Sequence, residues 1–318
     1  RDRIGLFVDM IMAKTLEDRK SILEKLGELQ KSDFIKILKE MEGYPVTIRL
    51  LDPPLHEFLP NPEELMKKIH RLEKTNSTQE LEETKRLLER VRDLSEINPM
   101  MGHRGVRIGI TYPEIYEMQI NAVFEAAVEL VKQKVNAHPQ IMVPQVGSIS
   151  ELNHIKKIYD RIKSETEKKY KMKLKVNFGT MLEVVRACLT ADELAKTAEF
   201  FSFGTNDLTQ AVFSFSREDA EAKFLPEYLE KEILDLSPFQ SIDVNGVGSL
   251  MKIGIEKGKK VKSGLEIGIC GEHGGDPKSI VFCYNSKLSY VSASPHRIPI
   301  AIVSAAQAVL LEKKSKKR

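Results

Sequence analysis

Two carboxylates are the first candidates for chemistry, because each follows an apolar run that contains a Gly-Thr pair. Glu183 follows the run 175–182, and Asp207 follows the run 200–206. Carboxylate oxygens are the ligands that Mg²⁺ prefers, and this ion is commonly held by one or two carboxylates while it keeps positions open for substrate. The sequence therefore predicts a magnesium site at Glu183 and Asp207. The alternative is that each acid only caps the helix that follows it.

The segment between the two runs decides whether the acids can meet. Thr190-Ala-Asp-Glu193 matches a helix capping box, and apolar residues follow at helical spacing. A strand, a helix and a second strand in this order indicate two parallel strands whose carboxyl ends share one edge. Neighbouring strands lie about 4.8 Å apart, so we expect Glu183 and Asp207 to reach a single cation.

Three further residues at or near predicted strand ends have side chains that can take part in chemistry. Arg49 lies near the end of the β-rich run 46–51, Arg104 lies in a glycine-flanked loop, and Cys270 ends the apolar run 266–270. Guanidinium groups bind phosphate oxygens in pairs, and a thiol, with an ordinary pKa of about 8.5, can exchange protons near neutral pH. The alternatives are an Arg49 paired with Asp52, a solvated Arg104 and a Cys270 that is only a small core residue.

Strands and helices alternate along the chain, which favours an α/β barrel or a doubly wound sheet. The predicted strands are 4–8, 46–51, 140–146, 175–182, 200–206, 266–270 and 288–292. The predicted helices include 15–27, 32–41, 112–134, one that opens with the capping box 147–151, 217–234, 247–257 and 300–311.

Polar residues near many strand ends favour a closed barrel over a doubly wound sheet, which collects its ligands at one switch point. These residues are Arg49, Arg104, Gln145, Glu183, Asn206, Asp207 and Cys270. We predict one domain over 1–318, with a charged helical insertion at about 61–97 and a basic tail at 312–318.

Composition adds limits rather than a function. The net charge of +3 arises from 49 basic and 46 acidic residues among 318, so we expect no nucleic-acid partner and regard the basic tail as solvated. Three cysteines form neither a disulfide framework nor a metal-binding C-x-x-C. No apolar run approaches the length of about 18 residues that a membrane span needs. We expect no membrane partner. A cytoplasmic location is the default, and a plastid or another organelle is the alternative.

Five motifs together resemble one known family. They are Val46-Thr-Ile-Arg-Leu-Leu-Asp-Pro-Pro-Leu-His-Glu-Phe-Leu-Pro60, Pro99-Met-Met-Gly-His-Arg-Gly105, Gly179-Thr-Met-Leu-Glu183, Phe203-Gly-Thr-Asn-Asp-Leu-Thr-Gln210 and Gly268-Ile-Cys-Gly-Glu-His-Gly-Gly-Asp-Pro277. They resemble the C-terminal, phosphoenolpyruvate-binding barrel of the pyruvate, phosphate dikinase family, and the similarity runs from about 43 to 311. The motif at 203–210 also suits other phosphoenolpyruvate-utilising enzymes.

The resemblance implies an α/β fold of the (β/α)₈ TIM-barrel type that transfers a phosphoryl group between a phosphohistidine of a separate domain and pyruvate or phosphoenolpyruvate. Glu183 and Asp207 would hold Mg²⁺, and Cys270 would exchange the proton at the methyl carbon. The implied substrate-binding residues are Arg49, Arg104, Glu183, Gly204, Thr205, Asn206 and Asp207.

The resemblance also has departures. The family's usual first strand and one of its arginines have no counterpart near 4–14, so we expect a barrel that lacks its first βα unit. The implied partners are a phosphohistidine swivelling domain and an ATP-grasp domain, neither of which has a motif in these residues, and a second copy in a homodimer. Two alternatives remain, namely a non-catalytic dimerisation or scaffold barrel, and a Mg²⁺-dependent lyase or aldolase that acts on a pyruvate enolate.

Overall fold

A computed structural model describes residues 2–75 and 78–315. The chain forms two compact units. The first comprises Arg1–Pro139 and Lys157–Val176, and the second comprises Gln140–Lys156 and Asn177–Arg318. No helix described within these limits is long and apolar enough to cross a membrane. The final residues of the predicted basic tail, 316–318, lie outside the described part of the chain.

The first unit is mainly helical. Its elements are α1 (Asp2–Met12), α2 (Leu16–Glu40), β1 (Pro45–Arg49), α3 (Pro62–Leu72), α4 (Thr78–Leu94), α5 (Val106–Thr111) and α6 (Pro113–Lys132). Helices α2 and α6 form its centre, where Leu38 packs against Ala126 and Leu130.

The strand predicted at 4–8 is wrong, because these residues belong to α1. Met10 and Ile11 are buried, and the ring of Phe7 stacks on that of Phe58 with 4.8 Å between centroids. Phe7, Met10 and Ile11 follow a spacing of three to four residues, which is the period of a helix face and not of a strand. The prediction read an apolar run and missed this period.

The two helices predicted at 15–27 and 32–41 are a single helix, α2. The prediction ended the first of them at Gly27, a residue that is unfavourable in helix interiors. In the structure a Cβ atom on Gly27 would lie 3.2 Å from Cγ of Met118 on α6. The missing side chain therefore permits α2 and α6 to pack closely, and the helix continues through the glycine.

The interval predicted as a helical insertion contains α3 and α4. The side chain of Asn61 accepts a hydrogen bond from the Glu63 backbone N–H at 2.8 Å, and Pro62 occupies the first turn of α3; both residues are favourable at the start of a helix. The two helices share a small apolar cluster of Leu65, Ile69, Leu88 and Val91. Residues 76–77, between the two helices, lie outside the described part of the chain.

The second unit contains a parallel sheet. Its strands are β2 (His138–Val143), β3 (Asn177–Leu182), β4 (Phe200–Gly204), β5 (Glu266–Cys270) and β6 (Tyr290–Val291), and they pair in that order. The part of β2 that belongs to the second unit begins at Gln140. Strands β3 and β4 are almost wholly buried, which is typical of parallel sheets covered by helices. The predicted α/β class is confirmed, with parallel strands and intervening helices.

Helices connect these strands, and one more helix follows the last strand. They are α7 (Ile149–Tyr170), α8 (Val185–Leu189), α9 (Ala191–Leu194), α10 (Thr205–Phe213), α11 (Arg217–Lys223), α12 (Leu225–Glu230), α13 (Val247–Val261), α14 (Pro277–Asn285) and α15 (Ile298–Ser315). The capping box that opens α7 is confirmed, since Oε2 of Glu151 accepts from the N–H of Gly147 and of Ser148 at 2.8 and 2.9 Å.

The capping box predicted at 190–193 is wrong. The Thr190 hydroxyl donates to the carbonyl of Arg186 at 2.9 Å and makes no cap to α9. Thr190 is the C-cap residue of α8 and also the residue before α9. Its hydroxyl is hydrogen-bonded to the last turn of α8 and therefore does not cap α9. Two short helices therefore connect β3 to β4.

Candidate functional site

The ends of β3, β4 and β5 bring most of the predicted site residues of the second unit to one edge. Leu182, just before Glu183, is level with Phe203, and Gly204 is level with Cys270. Because parallel strands end on the same side of a sheet, Glu183, the turn that begins at Gly204, and Cys270 lie along one edge.

Glu183 is buried at the end of β3, with 2% of its surface exposed. Its Oε1 accepts a hydrogen bond from the Gln145 backbone N–H at 2.6 Å. A Cβ atom on Gly204 would lie 2.5 Å from Oε2 of Glu183 and 3.0 Å from Sδ of Met181. Glycine is therefore required at position 204 because the carboxylate packs directly against the backbone of the next strand.

The turn from β4 into α10 carries the other predicted ligands. Thr205 is fully buried at the start of α10, and Asn206 Oδ1 accepts from the Glu272 backbone N–H at 3.3 Å. Asp207 lies in the first turn of the helix, where the helix dipole favours a negative charge. Residues 204–207 thus form one turn at the end of β4, and Asn206 joins this turn to the loop after β5.

Cys270 ends β5 and is half-buried. Its Sγ accepts from the Ser202 hydroxyl at 3.3 Å and donates to the Phe203 carbonyl at 3.5 Å. The other two cysteines differ from it, because burial raises the pKa of Cys188 and of Cys283 to about 12. Of the three thiols, Cys270 is the one that lies at the strand-end edge and is not fully buried.

The loop after Cys270 is held on both sides. Gly271 has a φ of +117°, which favours glycine, and a Cβ atom there would lie 2.7 Å from the Thr205 hydroxyl oxygen. Glu272 accepts two hydrogen bonds from Arg217, at 2.9 and 2.7 Å. This pairing is the main cause that lowers the pKa of Glu272 and raises the pKa of Arg217.

His273 follows in the same loop and is fully buried. Its Nδ1 lies 2.8 Å from the Thr205 hydroxyl oxygen, and its Nε2 lies 2.9 Å from the Pro238 carbonyl oxygen. Burial lowers the pKa of His273, an effect that the nearby charges of Asp276 and Glu272 oppose and that of Arg217 reinforces.

The two predicted arginines lie in the first unit, where they share one carboxylate. Asp52, 2% exposed, accepts from Arg104 Nη2 at 2.5 Å and Nε at 3.2 Å, and its Oδ2 is 3.2 Å from Arg49 Nη1. The Asp52 carbonyl also accepts from the Gly105 N–H at 2.9 Å. The pairing of Arg49 with Asp52, considered from sequence as an alternative, is present, and Arg104 is ion-paired rather than solvated.

The structure thus groups the predicted residues in two places. Arg49 and Arg104 surround Asp52 in the first unit, and the remaining six lie at the strand ends of the second: Glu183, Gly204, Thr205, Asn206, Asp207 and Cys270. The roles assigned to these eight residues stay predictions. Sequence reasoning considered the pairing of Asp52 with Arg49, but it missed the pairing of Asp52 with Arg104, which is 52 residues away, and the contact of Ser202 with Cys270.

Comparison with known proteins adds the family. Residues 2–310 match the model of the PEP-utilising enzyme, PEP-binding domain. The chain belongs to this family. As a PEP-binding domain it is similar to longer proteins: pyruvate, phosphate dikinase of Entamoeba histolytica is 52% identical over 308 residues, which are 96% of this chain and 35% of the relative. The resemblance to this family predicted from the five motifs is confirmed.

Two other relatives give the same result. Chloroplastic pyruvate, phosphate dikinase 1 of Arabidopsis thaliana is 51% identical over 97% of the chain and 32% of its own length, and the Clostridium symbiosum dikinase is 46% identical over 98% and 35%. The chain therefore spans about a third of the length of these relatives. A citrate lyase crystal structure from Burkholderia xenovorans aligns with 64% of the chain and 59% of its own, at a TM-score of 0.38 and 13% identity, which is too weak to support any argument.

Proposed function

We propose that this PEP-binding domain carries the pyruvate side of the pyruvate, phosphate dikinase reaction. In that half-reaction a phosphoryl group passes between a phosphohistidine of a separate domain and the enolate oxygen of pyruvate. The observation that carries the proposal is the buried Glu183 carboxylate, which packs against Gly204 at the start of the turn that bears Asp207. The family and its dikinase relatives supply the substrate class.

Mg²⁺ fits the donor groups of the second unit. Within residues 2–75 and 78–315 there is no cluster of three or more His, Cys, Asp or Glu side chains arranged as a metal site. Mg²⁺ does not need such a cluster, because it commonly uses one or two carboxylates together with substrate and water. We propose Glu183 and Asp207 as its protein ligands; when bound, the ion would act as a Lewis acid toward the pyruvate oxygens.

The side chains of the chain itself divide the remaining tasks. Arg49 and Arg104 are proposed to bind phosphoryl and carboxylate oxygens, since planar guanidinium groups suit both. The shared carboxylate of Asp52 keeps the two cations in a fixed orientation. Gly204, Thr205 and Asn206 are proposed to line the substrate at the β4 end.

Cys270 is proposed as the acid and base at the methyl carbon. Toward phosphoenolpyruvate, Sγ as thiolate takes a proton from the methyl group, and the oxygen of the resulting enolate takes the phosphoryl group from phosphohistidine. In the reverse direction the thiol returns the proton. The contacts of Sγ with Ser202 and Phe203 fix its direction, and proton transfer by a positioned group typically contributes about 10²- to 10⁴-fold in rate.

The wider architecture is part of the proposal. We propose that the parallel sheet belongs to a (β/α)₈ barrel, that a phosphohistidine domain and an ATP-grasp domain are its partners, and that the protein forms a homodimer. The compartment, with cytoplasm as the default, remains a prediction.

Calorimetry with oxalate, which mimics the enolate of pyruvate, tests the proposal. In the presence of Mg²⁺, Glu183→Ala and Asp207→Ala should each abolish measurable oxalate binding, because each removes a proposed metal ligand. Asp192→Ala is the matched control, since Asp192 pairs with Lys257 and should leave the affinity unchanged. Oxalate affinity that stays at the wild-type value in both site variants would contradict the proposed metal site.

A further inference from the structure

The imidazole of His273 has a tautomer that its surroundings determine. Nε2 faces the Pro238 carbonyl oxygen at 2.9 Å. A carbonyl oxygen can only accept a hydrogen bond, so Nε2 must carry a proton. The low pKa that burial gives His273 agrees with a neutral ring, whose Nδ1 is then an acceptor.

The Thr205 hydroxyl then has a defined direction. Its oxygen lies 2.8 Å from Nδ1 of His273 and 3.3 Å from the Cys270 carbonyl oxygen. A hydroxyl has one proton to donate, and the shorter contact is to the acceptor Nδ1. The imidazole therefore fixes the hydroxyl at the start of α10, with the end of β5 beside it.

The backbone around this contact is shaped to allow it. Gly271 has no side chain, and a Cβ atom there would lie 2.7 Å from the Thr205 oxygen. Gly274 passes so close to Ser292 that a Cβ atom would lie 1.8 Å from its carbonyl oxygen. The loop that carries His273 is thus confined on both sides, which makes it a rigid support for Thr205.

We propose that His273 is a positioning residue, which as the neutral Nε2–H tautomer fixes the Thr205 hydroxyl and thereby the turn from Gly204 to Asp207. It touches no reacting atom. The inference rests on the proposed function for its kinetic readout, and the tautomer supplies a readout that does not depend on that function.

Two substitutions, made in the full-length protein, distinguish the role of Nε2 from that of Nδ1. His273→Gln retains an N–H near the position of Nε2 but no acceptor near Nδ1, so we expect a near-normal melting temperature and a kcat that falls roughly tenfold or more. A displacement of about 1 Å can cost about a hundredfold in rate. His273→Asn places an amide near Nδ1 instead, so it should melt earlier yet retain more of kcat than the Gln variant.

A double-mutant cycle tests the connection to Thr205. In a Thr205→Val background, His273→Gln should change kcat less than twofold, because the hydroxyl it positions is already absent. In a Thr205→Ser background, which keeps the hydroxyl, His273→Gln should again lower kcat as it does in the wild type. Effects on kcat that are additive, or that follow the melting temperature in every variant, would overturn the proposal.

The ¹⁵N spectrum of labelled histidine, assigned by comparison with His273→Asn, reports the tautomer directly. A protonated Nε2 and an unprotonated Nδ1 are expected. A protonated Nδ1 would refute the inference, independently of the kinetic results. Failure of the proposed function would appear differently, as wild-type protein that binds no oxalate with Mg²⁺ while its His273 signals still show the Nε2–H form.

Discussion

The arginine cluster of the first unit and the strand-end cluster of the second hold their side chains by different means. Around Asp52 the orientation comes from charge, because one buried carboxylate binds two guanidinium groups. Around Thr205 it comes from uncharged hydrogen bonds and from glycines that let backbone segments approach closely. The first arrangement depends on one residue, whereas the second is spread over several, so single substitutions should have unequal effects in the two places.

The largest effect is expected at Asp52. Asp52→Ala leaves two cations without their shared partner, and breaking a buried ion pair in this way typically costs about 3–5 kcal/mol. Arg49 is half exposed, so we expect a loss of about 3 kcal/mol in the free energy of unfolding, measured with urea.

Two controls accompany this experiment. Asp52→Asn keeps the shape and should lose less stability than the alanine variant. Asp33→Ala removes the partner of Arg3 at the surface, where ion pairs contribute little, and should leave the unfolding midpoint nearly unchanged. An Asp52→Ala protein as stable as the Asp33→Ala protein would mean that charge does not orient this cluster.

An intermediate effect is expected at Gly204. Its Cβ atom in Gly204→Ala would lie 2.5 Å from Oε2 and 2.8 Å from Cβ of Glu183, so the carboxylate must move. Overpacking of this kind costs about 1–3 kcal/mol, and oxalate affinity should fall with it. Gly264→Ala is the control, since a Cβ atom there meets nothing within 4 Å and should alter stability by no more than about 0.5 kcal/mol. Equal behaviour of the two variants would show that Glu183 can move without loss.

The smallest effect concerns pH and His273. Burial lowers the pKa of His273 in the folded protein, whereas the unfolded residue titrates near 6.5. As pH falls below about 6.5, the unfolded chain gains a proton that the folded chain does not, so stability decreases until the folded pKa is reached. The slope for one proton cannot exceed about 1.4 kcal/mol per pH unit.

The comparison of wild type with His273→Gln isolates this contribution. Unfolding free energies at pH 7.5 and 5.5 should differ by less in the variant than in the wild type, because the variant has no ring to titrate. An unchanged difference would mean that His273 is not the residue that couples protonation to unfolding.

Much of the fold and of the strand-end cluster could be predicted from sequence, because the signals are local. The runs before Glu183 and Asp207, and the glycine at 204, indicate strands and turns through spacing alone. The tautomer of His273 could not be predicted, since its acceptor Pro238 is 35 residues away and nothing local specifies the pairing. The helix at Asp2–Met12 was missed for a different reason, because the run 4–8 alone is too short to distinguish a helix from a strand, and Met10 and Ile11, which complete the helical period, lie beyond it.

The contrast between the three thiols has a practical consequence. With ordinary reagents at neutral pH a cysteine reacts as its thiolate, and Cys188 and Cys283, with pKa values raised to about 12, form almost none. A maleimide dye or a nitroxide spin label applied to the native chain should therefore attach at position 270 without removal of the other cysteines. Such a single probe would report by fluorescence or by electron paramagnetic resonance on the β5 end itself.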